Sequence, residues 1–133
     1  MLDFQQRQQG DNNMKMWIPC STEEDPFYAM LNALVRIAKS SKSECCPLCN
    51  EGQLKFYYHE FPVKVKPVNR GGTLWVWCSS CMRWNHTSGI TVHEADKLQR
   101  LDNEKVVQEE RRHNLIEYLE GQWLAGKIGE LSN

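Results

Sequence analysis

Four of the six cysteines in this 133-residue chain form two Cys-x-x-Cys pairs, "CPLC" at Cys46 and Cys49 and "CSSC" at Cys78 and Cys81, with 28 residues between the pairs. A two-residue spacer lets one tight turn aim two sulfurs at one point, so two such turns supply the four ligands of a closed tetrahedral metal site. Disulfides and redox centres also use paired sulfurs. Six cysteines are too few to staple a chain of this length, however, and the first residues show neither the basic start, the apolar stretch nor the cleavage site of a signal peptide. The expectation is a cytoplasmic protein whose thiols stay reduced, which favours a metal clamp. Four thiolates suit zinc and also a rubredoxin-like iron, and structural zinc is the commoner use.

A closed four-sulfur site has no open position for water or substrate, so the metal is expected to be architecture rather than a Lewis acid. Cys45 adjoins the first ligand and is read as pointing away, and Cys20 reads as a small apolar residue. His59, His86, His93 and His113 are surplus to a complete four-cysteine set. No phosphate-cradling glycine loop, nucleophile elbow or His-Glu-x-x-His helix is present, and the chain is expected not to be an enzyme.

The elements around the sulfurs follow from periodicity. Residues 1–15 are Gln- and Asn-rich and read as a flexible tail, with 16–133 as a single domain. Pro26 sits at a first-turn position and Lys39 near a helix end, while Phe27, Met30, Leu31, Leu34, Val35 and Ala38 recur at helical spacing, which predicts a helix over 26–39. From Gln53 the period changes to two: "LKFYYHE", "FPVKVKPV" and "TLWVW" read as strands. The prolines and lysines of the second place it at a sheet edge. Thr91 and Glu94 have capping-box spacing before a helical segment over 93–125, which "DNEK" at 102–105 would break. The fold class is therefore α+β: an N-terminal helix, an antiparallel sheet of three to five strands over 44–92, and a long or broken C-terminal helix packing back on it. No apolar run approaches the roughly 18 residues of a membrane span.

Over residues 44–92 the chain resembles the zinc ribbons, in which two Cys-x-x-Cys knuckles at the ends of β-hairpins grip one zinc. The resemblance rests on "CPLC" and "CSSC" with strands between and after them, and it implies one structural zinc ion on Cys46, Cys49, Cys78 and Cys81. Asn50 and Gly52 supply turn residues after the first knuckle, whereas "CSSCMRW" has no glycine after its second sulfur.

"TLWVW" sends Leu74 and Val76 to one face and Trp75 and Trp77 to the other, so both faces of the ribbon need covers, and the two helical segments are the available ones. Any tryptophan left exposed would be a binding anchor, and Trp84 beside Arg83 is the leading candidate. The chain carries 16 Lys and Arg against 17 Asp and Glu, a net charge of −1, so a drive toward nucleic acid would have to be local. Lys55, Lys64, Lys66, Arg70 and Arg83 contribute to a segment, 42–93, with six basic and three acidic residues, whereas 94–133 has nine acidic and six basic. Lys64, Lys66, Arg70, Arg83 and Trp84 thus form the candidate binding surface. The leading expectation is a protein-binding module, which in outline looks like small bacterial immunity or antitoxin-type proteins that occlude a partner. A nucleic-acid-binding ribbon comes second and an iron electron carrier third.

Overall fold

The computed structural model describes residues 16–20, 25–60 and 71–131. Strand β1 (Ile18–Pro19) precedes helix α1 (Asp25–Ser40), followed by β2 (Glu44–Cys45), β3 (Gln53–Glu60), β4 (Gly72–Cys78) and β5 (Arg83–Ile90), then helices α2 (Asn103–Arg111) and α3 (Leu115–Leu124). The five strands form one sheet in the order β1-β5-β4-β3-β2. The central pairs are antiparallel, with Phe56 opposite Val76 and Trp75 opposite His86, while β1 adds in parallel, with Ile18 opposite Arg83. The sheet is thus mixed rather than purely antiparallel. The expected edge strand at 61–68 lies outside the described residues, as does the tail.

Each face of the sheet has its own cover, because both sets of alternating side chains are large and apolar. On one face Leu54, Phe56, Tyr58, Leu74 and Val76 pack with Met30, Ala33, Leu34 and Ile37 of α1. On the other, Tyr57, Trp75 and Trp77 pack with Val106 of α2, Leu115, Ile116 and Leu119 of α3, and Ile128 beyond it. The molecule is a layer of strands between helices. Burial of this kind contributes about 1.5–3 kcal/mol per large side chain, so losing either cover exposes half the core.

Helix α1 matches its expected span, but its buried stripe is centred on Met30, Ala33, Leu34, Ile37 and Ala38, leaving Leu31 half-buried and Val35 exposed at 37%. The stripe follows the 3.6-residue repeat, which puts Ile37 inward and Val35 on the outer flank. Beyond α1, Ser41 takes a positive φ of 57° and its hydroxyl donates to the His93 carbonyl, while the His93 amide donates to the Ala38 carbonyl at 2.7 Å.

The C-terminal segment departs from expectation. The capping box does not form: Glu94 has φ 50°, and only a single 3-10 turn, Ala95–Lys97, follows it. "DNEK" begins α2 instead of interrupting a helix, and the break falls at His113, whose φ is 58°. The reason is tertiary. The Leu101 amide donates to the Tyr57 hydroxyl at 3.0 Å, pinning the chain across the sheet before α2 can start.

Candidate metal centre and aromatic groove

The two Cys-x-x-Cys turns lie side by side, the first between β2 and β3 and the second between β4 and β5. They bring the sulfurs of Cys46, Cys49, Cys78 and Cys81 within 4.8 Å of one another. The cross-knuckle separations are 3.8 Å for Cys46 to Cys81 and 3.7 Å for Cys49 to Cys78. Four sulfurs at a metal–sulfur bond of about 2.3 Å stand about 3.8 Å apart along each edge of the tetrahedron, so the group has the size of one ion's coordination sphere. The separations far exceed the ~2.05 Å of a disulfide, which removes that reading.

The turns are built alike. Asn50, after the first pair, has φ 57°, and Met82, after the second, has φ 62°; each donates its amide to the carbonyl of the first cysteine of its pair. The missing glycine in "CSSCMRW" therefore leaves the turn type unchanged, with Met82 taking the left-handed conformation in its place. Gly52 is required for a different reason. A Cβ there would stand 2.5 Å from Ser80 Oγ and 2.7 Å from Cys78 Sγ, so the first knuckle approaches the second only because position 52 has no side chain.

The sulfurs differ in electrostatics. Burial pushes the Cys46 thiol up to about 11, and burial followed by the charges of Cys46 and Cys78 raises Cys81 further. The backbone amides of Glu51 and Gly52 draw Cys49 down to about 7. A cation favours the thiolate form of all four sulfurs, so the donor set fits a divalent metal. Cys45 is exposed and stands outside the group, as do Cys20 and, among the described residues, every histidine.

Of the expected binding surface, Lys64, Lys66 and Arg70 lie outside the described residues. Arg83 is half-buried on β5 opposite Cys78. Lys55 is no part of a basic strip. It is buried on the helical side, its ammonium 2.9 Å from Glu120 Oε1 and 3.3 Å from Ser79 Oγ, while Trp77 Nε1 donates to the same Glu120 oxygen at 2.8 Å. Glu120 was legible in principle: it falls four residues after Ile116 and three before Trp123, on the apolar seam, where a charge implies a buried partner.

Trp84 is half-buried and lines a groove of about 610 Å³ between β1, the sheet and the α2–α3 junction. Its floor is aromatic: Trp75 stacks on His86 at 4.5 Å and 19°, and Trp84 lies 5.8 Å from Trp75 and 5.7 Å from His86. Met16, Trp17 and Pro19 form one wall and Glu110, His113 and Glu117 belong to the other, with no Lys or Arg among the described lining residues. Trp17 Nε1 donates to Glu117 Oε1 at 2.8 Å. Partial desolvation holds His86 below its ordinary value, against a smaller raising effect of Glu110. Sequence reasoning singled out Trp84 but not this company, because Trp17 and Glu117 are 100 positions apart.

No helix among the described residues is long and apolar enough to cross a membrane. No family model matches the chain, and no match is found among curated proteins or solved structures.

Proposed function

We propose that the chain is a non-enzymatic, zinc-stiffened protein-binding module of the zinc-ribbon type, one that acts by occluding a partner in the manner of an immunity or antitoxin protein. Zinc on Cys46, Cys49, Cys78 and Cys81 ties the β2–β3 turn to the β4–β5 turn and so holds the sheet register that carries the groove. Four sulfurs fill a tetrahedral sphere, so the role assigned to the ion is structural.

The observation that carries the protein-binding reading is the aromatic groove, an apolar floor of indole rings with carboxylates at its rim. Aromatic surface left partly open by the described residues is what protein hot spots use, and carboxylates beside it repel a phosphate backbone. The burial of Lys55 against Glu120 removes one charge from the alternative, nucleic-acid reading.

The test is affinity capture of the tagged, metal-loaded protein from its own host, with and without nuclease. One stoichiometric protein that survives nuclease is expected. Recovery of RNA or DNA that nuclease abolishes would transfer the function to nucleic acid. Metal analysis of the same sample is expected to find one zinc per chain and no colour, whereas a red ferric centre would assign electron transfer instead.

A further inference from the structure

We infer that the groove over Trp84 and His86 is the partner-binding surface and that the partner fills it with an arginine side chain; this rests on the protein-binding reading above. The shape argues for a planar cation. The rings of Trp75, Trp84 and His86 lie within 35° of parallel, with centroids 4.5 to 5.8 Å apart, a stack of rings that a further flat group extends at the half-buried Trp84. A guanidinium is flat and weakly hydrated and stacks on such a face, whereas an alkylammonium is a compact charge best surrounded by rings on several sides.

The charges argue for the same occupant. Glu110 and Glu117 stand at the rim, and among the described residues the lining holds no Lys or Arg to neutralise them. The Trp17 indole orients the Glu117 carboxylate through Oε1, and a carboxylate retains capacity for further donors, which a guanidinium fork supplies in pairs. Of the two histidines in the lining, His86 is solvent-exposed but stacked on Trp75, and partial desolvation lowers its pKa. His113 is exposed at the wall. A volume of about 610 Å³ exceeds one side chain, which leaves room for the partner's flanking backbone along Met16 and Pro19.

The experiment titrates the metal-loaded full chain with acetyl-arginine amide, following the indole N–H signals of Trp84 and Trp17 by NMR, with the lysine and citrulline amides and AMP as the other arms. A saturable, millimolar response to arginine is expected, with lysine about five-fold weaker and citrulline silent, because only arginine combines charge with a stacking plane. Glu117→Gln, which preserves an acceptor for Trp17, is expected to weaken arginine binding about ten-fold. Absence of saturable shifts, equal responses to arginine and citrulline, or a stronger response to AMP would each overturn the inference. Capture with the Trp84→Ala Glu117→Gln variant separates it from the broader reading: a partner retained in full refutes the groove assignment alone, and capture of no protein by the unaltered chain refutes protein binding itself.

Discussion

Asn50 and Met82 hold the same place in two copies of one turn. Each follows the second cysteine of its pair, with φ of 57° and 62°, and each donates its backbone N–H to the first cysteine's carbonyl, at 2.9 and 2.8 Å. The repeated turn presents both sulfur pairs in the same way, and the backbone rather than the side chain sets that geometry. Asparagine tolerates the left-handed region, whereas a methionine there is strained by about 1–2 kcal/mol.

Met82→Asn is therefore expected to stabilise the protein by about 0.5–1 kcal/mol, and Asn50→Met to destabilise it by a similar amount. Urea unfolding of the metal-loaded proteins measures both, and a loss of stability in Met82→Asn would mean that the half-buried methionine side chain outweighs the backbone strain.

Removing the metal should loosen the sheet and the helix packed on it. Cys46 and Cys78 are fully buried in the same cluster as Met30, Leu34 and Val76, so their sulfurs sit where unsatisfied charge is costly. Chelation is expected to reduce the circular dichroism signal in step with metal loss, and Cys78→Ser to abolish stoichiometric metal. A spectrum unchanged after complete metal removal would show that the apolar layers fold unaided.

Gly52→Ala places a methyl group against Cys78 Sγ and Ser80 Oγ, at 2.7 and 2.5 Å. Metal affinity is expected to fall by about ten-fold or more, the scale at which groups that position ligands act. Competition with a chromophoric chelator reads this directly, and Gly129→Ala, where a Cβ meets nothing within 4 Å, serves as the comparison.

The pair Lys55 and Glu120 is buried at 8% and 4% exposure. Lys55→Met alone leaves a buried carboxylate without its cation and is expected to cost about 3–5 kcal/mol. Lys55→Met with Glu120→Gln removes both charges while keeping an acceptor for Trp77 Nε1, and is expected to recover most of that loss. A double-mutant cycle by chemical denaturation decides it, since additive costs would mean the two groups do not act on each other.

His86 makes stability depend on pH. Although the side chain is solvent-exposed, desolvation beside its stacked neighbours lowers its folded pKa, so the unfolded chain binds the proton more readily and stability falls as pH drops through the unfolded value near 6.5. Above that value both states are neutral and the residue contributes no slope. His86→Gln is expected to flatten the dependence between pH 8 and 5.5, and comparing the two proteins cancels the acid release of metal from the thiolates, which both share.

Much of this molecule was legible because its signals are local. Two-residue spacing in "CPLC" and "CSSC", helical spacing from Met30 to Ala38 and alternation through "TLWVW" each depend on neighbours a few positions apart, and each reappears in the structure as a turn, a helix or a strand. The sequence also required covers for both sheet faces, since Leu74 and Val76 cannot share a side with Trp75 and Trp77. Where local rules failed, a distant contact had overridden them. Thr91 and Glu94 have the spacing of a capping box, but Val92 is buried in the α1 layer and the Leu101 amide is held by Tyr57, so the chain makes only a single 3-10 turn before α2 starts.

Residue types and spacing by themselves determined the four sulfurs, the α+β class and the two-faced sheet, because turn geometry and side-chain alternation act over a few residues and need no fold to operate. Tertiary structure alone decided which charges are solvated and which are spent inside: Lys55 belongs to Glu120 and not to a basic strip, and Trp84 belongs to a groove completed by Trp17 and Glu117. Burial and electrostatic pairing depend on distance in space, and in this chain the partners that set them lie 65 and 100 positions apart.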